Sequence, residues 1–434
     1  MKKKVSRILA MILSAAMICA VPASAANVAP EATDKTASSE TTKLVIWGHQ
    51  EEVWNDNYKK IADEFMAENP DIEISFEFFP YDDFEAKVQT SLISKNSDCD
   101  IYEMWGGWGI DYAPTGSLDP IADEVAEEIR AEAYPSTYGA MEYDGKIYAL
   151  PLEFNIECGG LVVNLHLLGE EAIPTTWDEL VETAKKLTVR NGNQFDVRGF
   201  DFVGWDGVAY TFAAMIMSQG VSYFNEDGTF NVTSPEAKKA FEALTDLVVG
   251  EEPVTDLEGL TTAGALENFQ KLYTDQAVFV PHGPWVIADG LTTFGLEYGT
   301  DFDYVGLPWF GDEISFPAET GWCFSINAAS QHKEAANRFL DYLFSDEVLM
   351  ENNVACGQIP SKKSVATSEE YLEKFPYARP LVDILEKSSF IGFFNTDRFK
   401  EVIDNTFVDY CTGGIYDSID AALADMEEKL NGIL

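Results

Sequence analysis

Apolar positions along the chain recur with two periods, and they predict an alternation of strands and helices. KLVIW (43–47) is a short apolar run suited to a buried strand, and Tyr58, Ile61, Ala62, Phe65 and Met66 follow at the spacing of one helix face. Ile72, Ile74, Phe76 and Phe78 then alternate with Glu73, Ser75 and Glu77, which predicts a second strand. Strand, helix and strand at the opening of the fold predict a parallel α/β sheet. Downstream, Thr176 with Glu179 forms a capping box ahead of Leu180, Val181, Ala184 and Leu187. Ser234-Pro235 supplies an N-cap and a first-turn proline for a helix carrying Ala237, Phe241, Leu244 and Val248. Two further helical faces are Ala335, Ala336, Phe339, Leu340 and Leu343, and Ile419, Leu423, Met426 and Leu430. No fixed-period repeat is visible, which argues against a solenoid.

The pattern changes at the N-terminus. Lys2, Lys3, Lys4 and Arg7 precede an apolar stretch and an Ala23-Ser24-Ala25 cleavage site, so residues 1–25 read as a secretory signal whose apolar run is too short to span a bilayer comfortably. Residues 26–42 (ANVAPEATDKTASSETT) are small and polar, as in a flexible leader. Lipidation at Cys19 is the second reading of this region, but Ile18 and Ala16 stand where lipoprotein signals place a small residue and leucine. The expected location is extracytoplasmic. A fold of roughly 400 residues predicts two domains, and no linker-like stretch follows Lys43.

Composition narrows the partners. The 434 residues carry 29 Lys+Arg against 74 Asp+Glu, a formal charge of -45, and losing the signal removes four basic residues and no acidic one. Nucleic acid is excluded, because polyanion binding relies on Lys and Arg to displace counterions. The hydrophobic fraction of 46% is that of a folded globular chain. Cys99, Cys158, Cys323, Cys356 and Cys411 have no C-x-x-C spacing, and buried free thiols are expected.

Catalytic signatures are lacking. His49, His166, His282 and His332 have no metal-ligand spacing, there is no G-x-S-x-G elbow, and 139–146 lacks the spacing of a phosphate loop. Asn225-Glu226-Asp227-Gly228 has no acid at the twelfth position of a calcium loop and reads as a hairpin turn. No metal or cofactor is expected. The informative feature is aromatic: Trp105 and Trp108 in MWGGWG, Trp205 in VGWDG, Trp285 in HGPWV and Trp322 in ETGWCF each stand beside glycine. An indole face matches the C–H-rich face of a pyranose, and nearby Asp, Glu and Asn can bond its hydroxyls. A core role remains open for any one of them, but the four clusters together point to a carbohydrate cleft.

KLVIWG, DIYEMWGGWGIDYAPTGSLDPI, GKIYALPLEFNIECGGLVVN, FNEDGTFNVTSPEAKKAF, AVFVPHGPWVIADG, ETGWCFSINAAS and CGQIPSKKS extend in that order from Lys43 nearly to Leu434. Together they resemble the bacterial extracellular solute-binding proteins of ABC sugar importers, in the group similar to maltose-binding protein. The resemblance implies an α/β, two-lobe periplasmic-binding-protein fold of type II, with the ligand cleft between lobes that close by a hinge. It implies an N-lobe of 43–153 plus 304–322, a C-lobe of 154–303 plus 323–434, and crossovers near 153–159, 304–308 and 319–324.

The same resemblance implies site residues. Gln50 and Glu51 follow the first strand, Trp105 is an N-lobe stacking position and Trp285 its C-lobe counterpart, with Trp108 beside the former. Glu153 and Asn155 fall in the first crossover, Glu319 and Trp322 border the third, and Trp205 with Asp206, and Phe394 with Asn395, lie in C-lobe loops that can contribute an aromatic and a polar group. Trp54, Trp177 and Trp309 are read as core or surface. The implied function is non-catalytic capture of a sugar, most simply an oligosaccharide, by a monomer that delivers it to the permease subunits of an ABC transporter. The rivals are a secreted glycoside hydrolase, which shares the signal, the acidity and the aromatic cleft, and a receptor for another solute such as a polyamine.

Overall fold

The computed structural model describes residues 41–434 except Ser97 and Trp205, with all their side chains save those of Tyr81 and Asp82. The expected signal over 1–25, Cys19, all of the leader but Thr41 and Thr42, and the expected contact Trp205 lie outside the described residues. The main strands are β1 (Thr42–His49), β2 (Ile72–Phe79), β3 (Ile101–Trp105), β4 (Gly160–Asn164), β5 (Gln194–Phe200), β6 (Ala277–Pro281), β7 (Phe302–Gly306) and β8 (Trp322–Asn327). The helices used below are α1 (Glu52–Glu68), α2 (Trp177–Leu187), α3 (Gly207–Met217), α4 (Pro235–Val249), α5 (Lys333–Leu343), α6 (Asp346–Cys356), α7 (Thr396–Thr412) and α8 (Ile419–Asn431).

The elements follow their side-chain patterns. In α1, Tyr58, Ile61, Ala62 and Phe65 of the predicted face are buried in one apolar cluster with Leu44 and Ile46 of β1, and the half-buried Met66 packs against it; a large side chain such as Ile61 or Phe65 contributes about 1.5–3 kcal/mol by leaving water. Thr176 Oγ1 accepts from the Glu179 N–H at 3.3 Å, which starts α2 as the capping box requires. Ser234 Oγ accepts from the Ala237 N–H at 3.1 Å at the start of α4. The five described cysteines are unbridged, and four of them are buried.

Two separate sheets organise the chain. In the first, β2, β1 and β3 run parallel, and β8 joins β3 in antiparallel register with Trp322 opposite Trp105. In the second, β5 and β6 are parallel while β4 lies antiparallel to both β6 and β7. Each sheet has its own apolar surroundings, so the molecule has two α/β lobes.

The strand pairing moves the expected exchange of segments between lobes. Tyr304 was expected in the N-lobe, but β7 pairs residue for residue with β4, Phe302 opposite Asn164 through Gly306 opposite Gly160, so it belongs to the second sheet. Residues after 322 were expected in the C-lobe, yet β8 completes the first sheet and Phe339, Leu340, Leu343 and Leu349 of α5 and α6 are buried beside α1. The third crossover therefore lies near 357–362, where Ile359–Pro360 pairs with Glu153–Phe154. An apolar run such as WCFSIN shows that a strand will be buried but carries no information about which sheet accepts it.

Candidate functional site

The ends of these strands surround a cavity of about 330 Å³. One wall comes from the first sheet. β1 ends at His49, whose Nδ1 meets Glu103 Oε2 at 2.8 Å, while Tyr58 Oη donates to Glu103 Oε1 at 3.0 Å. His49 lies parallel to Trp322 with ring centroids 4.0 Å apart, and Trp54 meets its edge at 5.5 Å. Trp105 stands edge-on to Trp322 at 5.6 Å. The opposite wall comes from the turn after β6, where Trp285 Nε1 donates to Glu157 Oε1 at 3.2 Å. Trp285, Ala288, Asp289 and Thr292 all line the cavity, because positions three, four and seven apart share one helix face.

The polar lining is fixed by ion pairs. Lys400 of α7 places Nζ 2.8 Å from both Asp206 Oδ1 and Asp397 Oδ1. Burial pushes the Asp206 carboxyl up while the Lys400 ammonium opposes it. Burial would also raise Glu157, but His282 Nδ1 at 3.1 Å, the Trp285 indole and the Gly283 N–H hold it below the usual carboxylate range. The amide of Asn155 lines the same cavity, is 3% exposed, and its Nδ2 has no hydrogen-bond partner among the described residues. An unspent buried donor costs about 1–3 kcal/mol and is satisfied when a ligand oxygen arrives.

Of the expected site residues, the structure brings Glu51, Trp105, Asn155, Asp206, Trp285 and Trp322 to the cavity. Others go elsewhere. Gln50 is exposed and off the lining, because β1 runs two residues beyond the predicted strand and presents His49 instead. Trp108 is 2% exposed in a core cluster, with Nε1 donating to Asp397 Oδ2 at 2.9 Å. Phe394 packs among Phe230 and Phe399 at 5.2 and 5.0 Å. Asn395 is the N-cap of α7, accepting from the Asp397 and Arg398 N–H groups. Glu153 accepts from the Trp322 N–H at 2.9 Å and Glu319 accepts from Tyr210 Oη, so both are structural groups in the crossovers. Trp54, read as core or surface, lines the cavity, whereas Trp177 is buried and Trp309 lies against Phe316.

Glycine beside tryptophan has a different cause from the one expected. A Cβ on Gly107 would sit 2.1 Å from Thr396 Oγ1, and one on Gly321 would sit 1.8 Å from Glu153 Oε1. These glycines permit close passage of chain segments at the seam between the lobes. His49, Trp54, Glu157, Asp289, Thr292, Gln358 and Lys400 were missed by sequence reasoning. Glu157 was within reach, since it lies two residues beyond Asn155 in the expected first crossover and lines the same cavity.

Phe394→Ala separates the two roles. We expect a stability loss of about 3–5 kcal/mol by denaturant titration, with ligand affinity unchanged when measured well below the melting temperature. A tenfold loss of affinity there would return Phe394 to the site.

Two α/β lobes, with an indole-walled cleft where the ends of their strands face each other, define a two-lobe binding protein of the periplasmic type. The family of bacterial extracellular solute-binding proteins matches residues 52–350, and the chain belongs to that family. The maltotriose-binding protein of Pyrococcus abyssi (strain GE5 / Orsay) is 23% identical over 340 residues, 76% of this chain and 68% of its own. The lactose-binding protein of Rhizobium radiobacter is 23% identical over 348 residues, 76% of this chain and 77% of its own. Maltose-bound MalE3 of T. maritima superposes with a TM-score of 0.72 at 23% identity, covering 91% of this chain and all (100%) of that one.

Proposed function

We propose that the protein is the extracytoplasmic receptor of an ABC importer, capturing a sugar between its lobes and handing it to the permease subunits. The observation that carries this reading is the cavity itself: indoles on both walls, ion-paired polar groups between them, and the unspent Asn155 amide. Aromatic faces supply apolar area, and fixed donors and acceptors select the stereochemistry of the hydroxyls. The curated relatives that bind maltotriose and lactose support a sugar as ligand.

Hinge closure has a physical counterpart beside the cavity. Trp105 Nε1 donates to Thr396 Oγ1 at 3.3 Å, Trp108 Nε1 to Asp397 Oδ2 at 2.9 Å, and Asn395 Nδ2 to Asp111 Oδ2 at 2.9 Å. All three bonds join the end of β3 and the residues that follow it to the start of α7, and thus one lobe to the other. Asp397 also holds Lys400, so the latch and the cavity lining share a residue. A ligand that touches both walls favours the closed arrangement, and closure forms the surface a permease reads. The receptor acts as a monomer.

The test is a titration of the mature chain with maltose, maltotriose and lactose, read by tryptophan fluorescence and thermal melting. A saturable spectral change is expected, with about 2.7 kcal/mol of stabilisation at a sugar concentration of about 100 times Kd, and the sugar recovered intact. Cleaved product would mean a hydrolase, and silence across a wider sugar panel would remove carbohydrate as the ligand.

A further inference from the structure

The charge of the cavity lining is one-sided. Glu51, Glu157, Asp206 and Asp289 line it, whereas Lys400 is the single lysine or arginine on it among the described residues, and its ammonium is divided between Asp206 and Asp397. A second cavity of about 260 Å³ adjoins the first, since Glu157, Asp206 and Trp285 border both. Its remaining lining includes Glu267, Phe269 and His282, with no lysine or arginine among the described residues. His282 is committed to Glu157 at 3.1 Å. Carboxylates beside aromatic rings, in a site partly shielded from water, form an environment suited to an ammonium group. The unspent donor of Asn155 lies on the same lining and would take a neutral oxygen of the same ligand.

We propose that the captured sugar carries a protonated amino group, and that this group binds where the two cavities meet, against Glu157, Asp206 and Trp285. The inference rests on the sugar-receptor reading above and narrows it to amino sugars. An ammonium there gains two acceptor carboxylates, while an acetamide or hydroxyl at the same position gains no charge complementarity. The preference is electrostatic and falls with added salt, less steeply than for a surface pair because the site is recessed.

The test uses matched disaccharides, α-1,4 and β-1,4 linked, whose sugar units carry a 2-amino, 2-acetamido or 2-hydroxyl group, titrated calorimetrically at pH 6 into the mature protein. The amino form is expected to bind at least about tenfold more tightly than its two neutral counterparts, equivalent to about 1.4 kcal/mol. Glu157→Gln should cut that preference to about threefold or less, and Asp63→Asn, on the exposed face of α1 and off both cavities, should leave a tenfold preference intact. Neutral sugars binding as tightly as amino sugars would overturn the inference and leave the receptor reading standing. Spermidine binding with no sugar binding in either series would overturn both.

Discussion

Trp285→Ala is expected to weaken ligand binding about 100-fold, the largest effect of any single substitution in the cavity. Among the described residues Trp285 is the indole of the second lobe on the cavity lining, and it faces a wall that holds Trp54, Trp105 and Trp322. Buried tryptophans that anchor an interface are typically worth about 2–4 kcal/mol, and about 2.7 kcal/mol is two decades in Kd. Two losses add here. The ring contributes apolar contact to the ligand, and its Nε1 donates to Glu157 Oε1 at 3.2 Å. Without that donor Glu157 keeps His282 and the Gly283 N–H, so its carboxylate swings towards them and away from its present aim. Trp285→Phe separates the terms: it keeps a ring against Phe269 but removes the donor, and a loss of about tenfold is expected. Calorimetric titration of both variants checks the ranking. Equal affinities for the parent and Trp285→Ala would show that the ligand does not lie between these walls.

How much of this was legible in the sequence depends on whether a feature is local. β1, α1 and β2 follow from KLVIW, the Tyr58 to Met66 spacing and the Ile72 to Phe78 alternation, because the side-chain period alone determines them. The partner of β8 did not follow, since Trp322 pairs with Trp105 more than two hundred residues away and the apolar run would suit either sheet. The site behaves likewise. Trp285 was legible from its turn, and Asp289 and Thr292 could have been read from it by helical spacing. Lys400, Gln358 and Trp54 enter the lining only through packing between distant segments. Trp108 and Asn395 were misread for an instructive reason: polar and aromatic groups on loops at element ends mark a seam between lobes as readily as a ligand, and the seam runs along the edge of the cavity.

The same seam makes stability depend on pH in a direction opposite to ordinary acid denaturation. Glu319 and Glu153 are 1% and 3% exposed, and burial pushes each carboxyl up to about 8. Around Glu319, the Tyr210 hydroxyl and the Lys400 ammonium oppose the rise while Asp206 and Asp397 add to it; around Glu153, the Trp322 N–H opposes it while Glu157 and Glu103 add to it. A carboxyl raised above its unfolded value contributes stability that is complete below about 4.5 and is lost as pH rises through the folded value. Stability, and with it the melting temperature, is therefore expected to fall between about pH 5 and pH 8.5, by on the order of a few kcal/mol for each of the two groups. Glu319→Gln reproduces the neutral form at every pH and can still accept from Tyr210 Oη. The variant should match the parent near pH 5, melt higher than the parent above pH 8, and show a shallower slope between. Indistinguishable profiles would mean that Glu319 is ionised in the folded protein. Because Glu319 forms a backbone bridge with Asn155 at the crossover, the carboxyl that titrates is tied to the amide on the cavity wall. Ionisation there should loosen the hinge as well as the fold, so ligand affinity should fall with pH more steeply in the parent than in Glu319→Gln.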